Sequence, residues 1–470
     1  MKYLLLNILF TSLFTIWGVT VHSSILFIIL LIVWINMMLY SYKKIEHRST
    51  LFAFGVAFFV FLMGREFLEQ YSLIYPDVKF SDNINNHLYR SLLLALLGTW
   101  SAFSLFSKKS NINSNLSNID VYYLAVARKK IKQLFFIILP FAIIYRLIIA
   151  IIIAKLGYHE QYVEFANFQS SNLLLNLLNK IAIMLPVTFC CFIATLPTKQ
   201  EFKNILIAYL GYLCLTLLGG QRGAFLLGIL LIFIFLVYMQ GIRPNENWFK
   251  RKYFNYSLII IPLIICFSSF IGSWRVDRKI NGFFDSFYVF FNDQGVTSYV
   301  VKRAYEYENE IPKDIYVFQF LHSGILAAVL DIPVYNGNTV DHATKGGNFA
   351  HALSYVILGD KYLLGVGTGS SFVAELFYDF GYIGVYLGAF LYGILLVSIY
   401  RTNSLLKRTI VFIIITELLW ACRSSFVGFL VLLLTPSVIM IGLYIFWLSY
   451  KKPISKLDIE RAHKASYNKL

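Results

Sequence analysis

The chain is poor in charge. Only 14% of its 470 residues are Asp, Glu, Lys or Arg, whereas a soluble protein of this length carries about a quarter. That scarcity excludes an ordinary water-facing globular surface. Cysteine is sparse too. Cys190, Cys191, Cys214 and Cys266 lie inside apolar runs and Cys422 at the edge of one. No CxxC or zinc spacing occurs, so they read as buried thiols. There is no P-loop, no Ser-His-Asp order, no kinase motif set and no DxD metal motif. No internal repeat of fixed period is visible, and neither are the inverted halves expected of many transporters.

What is abundant is hydrocarbon. Hydrophobic residues make up 58% of the chain, in repeated apolar runs of about 17–25 residues, the length that crosses a bilayer. The expected fold is an all-α polytopic membrane protein with about twelve helices, near residues 3–20, 23–42, 51–68, 90–107, 133–154, 174–196, 204–219, 224–240, 254–273, 382–400, 405–421 and 424–449. Met1 and Lys2 precede an apolar run without a small-residue cleavage site, which reads as a retained first helix. The net charge of +16 sits mainly in alternate short connections and in the tail, the positive-inside pattern rather than a nucleic-acid face. Both termini are therefore expected in the cytoplasm. Residues 111–118 are polar, and 120–133 reads as an amphipathic basic stretch lying along the cytoplasmic surface. The expected organisation is a membrane domain over 1–273, one large external segment over 274–381, three closing helices over 382–449 and a basic tail over 450–470. Such an external segment is too long for a passive connector. Within it, 317–330 is apolar but short, as in a re-entrant or interfacial helix.

Against this pattern several arginines stand on the wrong side. Arg222 lies in Leu217-Leu218-Gly219-Gly220-Gln221-Arg222-Gly223, closing the seventh helix; Arg275 and Arg278 follow the ninth; Arg423 lies between the last two. Arg65 begins the first external loop, and Arg146 falls within the fifth apolar run. A lone arginine at such a place reads as snorkelling or as a salt bridge to Asp277, Glu66 or Glu417. Several at one depth read as an anion site, because uncompensated charge near hydrocarbon is costly. A guanidinium forks onto phosphate in a way that lysine cannot. Arg222, Arg275, Arg278 and Arg423 are the candidate diphosphate ligands.

Glu375 and Asp379 are four residues apart after the glycine-rich Gly365-Val-Gly-Thr-Gly369 stretch, and so share a helix face. They are a candidate general base and partner, or hold a sugar hydroxyl; the bland alternative is a flexible access loop with two solvated acids. His342, beside Asp341, is a further candidate base, with His322 and His351 in the same segment. Tyr335, Trp274 and Tyr378, with the polar turns around Asn338 and Asn348, would form a sugar-binding rim. No metal or cofactor is expected. An external enzyme with neither site needs a donor already activated on a lipid.

The chain resembles the Wzy-type O-antigen and polysaccharide polymerases. The resemblance rests on the Gly219–Gly223 turn, the large late loop, the stretch from Gly369 through Glu375 and Asp379 to Gly381, Arg423 in the next turn, and the Tyr158-His-Glu-Gln-Tyr162 loop. It implies a GT-C-like architecture in the bacterial inner membrane, with the active site periplasmic. It implies that undecaprenyl-diphosphate-linked oligosaccharide repeat units are joined into O-antigen or capsule-type polysaccharide, with release of undecaprenyl diphosphate. It implies no cofactor, no nucleic acid, contact with membrane lipid, and a chain-length regulator protein as a partner. An O-antigen ligase would share the donor and the late loop. A lipid-oligosaccharide flippase would instead carry mid-membrane charge and little external mass.

Overall fold

A computed structural model describes residues 22–107, 118–156, 172–250 and 282–450, with scattered positions between 252 and 273. Among the described residues every regular element is helical, and eight helices are long and apolar enough to cross a membrane. These are α1 (Ser23–Lys43), α2 (Ser49–Gln70), α3 (Asp82–Ser107), α4 (Asn118–Leu156), α5 (Leu173–Ala194), α6 (Lys199–Leu218), α7 (Arg222–Ile242) and, later in the chain, α13 (Phe372–Ser398). Between α7 and α13 lie α8 (Phe283–Gln294), α9 (Thr297–Glu306), α10 (Gly324–Val329), α11 (Val340–Lys345) and α12 (Phe349–Leu358). After α13 come α14 (Leu405–Trp420), α15 (Gly428–Leu433) and α16 (Pro436–Tyr450).

Helices expected over 3–20 and most of 254–273 lie outside the described residues. Four other expectations change. The basic stretch 120–133 is not a separate surface helix: α4 runs continuously through it and past Pro140. The last helix is broken into α15 and α16, because Pro436 offers no backbone donor and pushes the residue before it out of helical geometry. The helix expected from 382 begins at Phe372, and Gly381, at φ 64° and ψ −160°, interrupts its regular geometry where the sequence suggested a start. The apolar 317–330 region is a 3-10 segment, Tyr316–His322, followed by the single short helix α10.

Small residues let the longest helices touch. A Cβ on Gly98 would stand 2.4 Å from the Tyr386 carbonyl oxygen, and one on Gly393 would stand 2.3 Å from that of Thr99. Without these glycines α3 and α13 could not pack backbone to backbone. At one end of the bundle three arginines converge on the carbonyl groups that α5 leaves unpaired at its C-terminus. Arg128 donates to Thr195 and Leu196 at 3.0 and 3.2 Å. Arg243 donates to Leu196 and Pro197, and Arg408 to Ala194 at 2.6 Å. Cations there also complement the negative end of the helix.

At the opposite end α9 is bolted to α2. Glu66 accepts from Lys302 Nζ at 2.8 Å, Ser298 Oγ at 2.7 Å and Tyr89 at 3.0 Å. The Glu66 and Lys302 side chains are 2% and 3% exposed, so each charge is compensated where water is excluded. Arg65 is likewise engaged, by Glu69 and Asp77 and over the Tyr299 ring. An ion-pair network accounts for this arginine.

Candidate functional site: two arginines at one helix end

The α6–α7 turn is only Gly219 to Gln221. It closes by Gly219 N–H to Leu215 O and Gln221 N–H to Thr216 O, both 2.9 Å, with Gly220 at φ +83°. These residues use up the whole connection, so Arg222 does not close a helix; it opens α7. It therefore stands at the positive end of a 21-residue helix dipole, where an anion is favoured and a cation is not. No side chain caps that terminus. Gly223 then brings α7 against α14: a Cβ there would lie 2.5 Å from the Trp420 ring. Trp420 is the last residue of α14, and Arg423 follows in the next turn.

Arg222 and Arg423 meet at the C-terminus of α8. Arg222 Nη2 donates to Asp293 Oδ2 at 3.2 Å, and its Nη1 is buried with no acceptor among the described residues. Arg423 Nη1 approaches Asp293 O at 3.4 Å, Gln294 O at 3.5 Å and Gln294 Oε1 at 3.4 Å. Two guanidinium groups from separate hairpins thus meet at one helix end, Arg222 on the Asp293 carboxylate and Arg423 on the terminal carbonyl groups. The floor of this region is aromatic. A π-helical turn in α2, Phe59–Met63, presents Phe59 edge-on to Phe291 of α8 and Phe61 edge-on to Trp420, with ring centroids 5.9 and 5.5 Å apart. Such turns recur at functional sites, because the extra residue re-aims the side chains around it. Arg275, Arg278 and Trp274 lie outside the described residues.

Glu375 is completely buried. Its Oε2 accepts the Phe426 backbone N–H at 2.5 Å, and its Oε1 accepts from Ser370 Oγ at 3.2 Å. It ties the start of α13 to the turn that follows Arg423. Asp379 sits one helical turn on, but its two oxygens take the N–H groups of Tyr316 and Val317, at 3.2 and 2.8 Å. The two acids therefore share a helix without facing one partner, and neither is a solvated loop residue. Tyr378 gives its hydroxyl to Ile311 O.

His342 belongs to another lobe. Its Nδ1 lies 2.7 Å from the Gly337 carbonyl oxygen. That oxygen can only accept, so Nδ1 carries the proton and Nε2 is the accepting nitrogen of the neutral ring. Its ring stacks on His351 at 3.6 Å. Burial, and then the neighbouring His342 ring, lower the His351 pKa to about 4. Asn338 closes this lobe by donating to Tyr362 O and Val366 O. Among the described residues no group of three or more His, Cys, Asp or Glu has a metal-holding arrangement.

Residue-by-residue reading missed Asp293, Gln294 and Trp420. A usable signal existed: Phe283, Phe284, Phe287, Tyr288 and Phe291 recur at helical spacing inside the supposed loop and outline α8. No curated protein and no solved structure matches the chain significantly. The family described as O-antigen polysaccharide polymerase Wzy matches it over residues 3–452.

Proposed function

The chain belongs to the O-antigen polysaccharide polymerase Wzy family, a multi-pass membrane polymerase of the glycosyltransferase type. On that basis we propose that Arg222 and Arg423 grip the diphosphate of an undecaprenyl-linked repeat unit at the periplasmic face of the inner membrane. One observation carries this reading: Arg222, at the positive end of α7, and Arg423 converge on the C-terminus of α8, and Arg222 Nη1 is buried without an acceptor among the described residues. A phosphate oxygen supplies the acceptor that Arg222 Nη1 lacks, at a helix end that favours an anion.

The acceptor hydroxyl oxygen bonds to the anomeric carbon of the donor as the bond from that carbon to the diphosphate oxygen breaks. The electron pair leaves with undecaprenyl diphosphate. Charge grows on that oxygen, so fixed guanidinium groups hold the transition state more strongly than the ground state. Glu375, which was expected to be a base, we assign to positioning, since it fastens the turn carrying Arg423. Asp379 orders the 316–322 segment. His342 Nε2 is the accepting nitrogen we assign to the acceptor hydroxyl. A chain-length regulator would dock on the external lobes.

The test is polymer length in cells whose only copy carries a substitution. Arg222→Lys and Arg222→Ala should give correctly inserted protein that leaves single repeat units. Long polymer from either variant would refute the assignment.

A further inference from the structure

One cation near the turn has no part in that account. Arg146 lies in α4, within a candidate membrane span that ends at Ile152, about 9 Å further along the axis. Its Nη1 donates to Gln221 Oε1 at 2.8 Å, and its Nε and Nη2 donate to the Tyr212 hydroxyl at 3.3 and 3.1 Å. The guanidinium also stands 5.5 Å from the Tyr212 ring centroid. Gln221 is the residue immediately before Arg222. It is the N-cap residue of α7, yet its side chain caps nothing there, because it is turned to Arg146. One helical turn on, Ile149 Cγ2 lies 3.5 Å from where a Gly219 Cβ would be. The α4 helix thus holds the turn at both of its ends.

All these acceptors are neutral. They fix the direction of the guanidinium without cancelling its charge, and among the described residues no carboxylate pairs with it. An uncompensated arginine within a membrane-spanning helix is costly and calls for an anion. Of its five N–H donors, three are used by Gln221 and Tyr212, leaving one on Nη1 and one on Nη2. Two neighbouring donors match two oxygens of one phosphate group.

We propose that Arg146 is a further ligand of the phosphate site, held beside Arg222 by Gln221 and Tyr212 so that it contacts the phosphate of a lipid head group. This rests on the assignment of Arg222 to a lipid diphosphate. The same chemistry is offered by the carrier diphosphate and by a bilayer phospholipid; we assign it to the carrier, since the tether leads to the turn that bears Arg222.

The experiment uses the full-length protein in phosphatidylcholine nanodiscs, titrated with undecaprenyl diphosphate at two salt concentrations. Arg146→Gln is expected to weaken binding about tenfold and to flatten its salt dependence, and Arg146→Lys to recover part of both, since the charge remains. Gln221→Leu cuts the tether but keeps both arginines, and should cost less than Arg146→Gln. Unchanged affinity in Arg146→Gln overturns the proposal. So does an equal loss in Gln221→Leu, which would make Arg146 only a support for the turn. In a parallel titration of the same nanodiscs with phosphatidylglycerol, a loss of its binding in Arg146→Gln without loss of carrier binding also overturns it, and assigns the contact to the bilayer. If Arg222→Gln leaves carrier binding intact while Arg146→Gln weakens it, the earlier assignment fails and the Arg146 contact stands. If the unsubstituted protein binds no carrier, both fail.

Discussion

The two ends of this helix bundle use arginine in opposite ways. At one end Arg128, Arg243 and Arg408 spend their donors on carbonyl groups at the end of α5. At the other, Arg222 pairs with the Asp293 carboxylate while Arg423 meets the carbonyl end of the same helix, α8, and Arg222 keeps a buried donor unsatisfied. The first arrangement completes a helix terminus, at the negative end of α5. The second places one cation, Arg222, at the positive end of α7, where it gains least from the helix and most from an incoming anion. Residue type does not separate a structural arginine from a binding one. What separates them here is the helix end at which they stand, Arg408 at the negative end of α5 and Arg222 at the positive end of α7.

The largest effect should come from breaking the binding end. Arg222→Ala should lower polymerisation by about 10²–10³-fold, as loss of one preorganised transition-state donor does, with little change in melting temperature in detergent. Comparable losses of stability and activity would erase the contrast between the ends. Next is the bolt beneath the site. Glu66→Gln strands the Lys302 ammonium in a buried place and should destabilise the protein by about 3–5 kcal/mol, read as a lower unfolding midpoint. Restoring stability with the second change Lys302→Met would show that the cost comes from the orphaned charge.

At the structural end, Arg408→Ala removes the donor to Ala194 and should cost about 1–3 kcal/mol. Activity per folded molecule should be unchanged; a selective loss of activity would contradict the comparison. The smallest effect concerns the His351 lobe. Its folded pKa, about 4, is below the unfolded value of 6.5, so folding favours the neutral ring. Its contribution is fully present above pH 6.5 and shrinks as pH falls from there towards 4. His351→Gln should flatten the acid side of the stability profile over that interval, which amide exchange in residues 337–362 would report.

Much of this was legible in the sequence. The apolar runs between Ser23 and Ile242 marked seven of the eight long helices, because spanning hydrocarbon needs only a local stretch of the right length. Arg222 and Arg423 stood out because they violate the charge bias of the loops. The start of α13 was not legible, since Gly381 imitates a helix boundary from within. Glu375 was legible as a residue of interest but not in its role, because its partner, the Phe426 N–H, lies 51 positions away.

The sequence by itself determined the membrane class and which cations were out of place. Both are sums over neighbouring residues, and hydrophobic burial and charge bias act along the chain. Only the tertiary structure decided that Arg65 is neutralised by Glu69 and Asp77 while Arg222 pairs with Asp293 at the helix end that Arg423 also reaches. Hydrogen bonds and ion pairs act over a few ångströms of space, and here that space is set by contacts such as Gly223 against Trp420, between residues far apart in the chain.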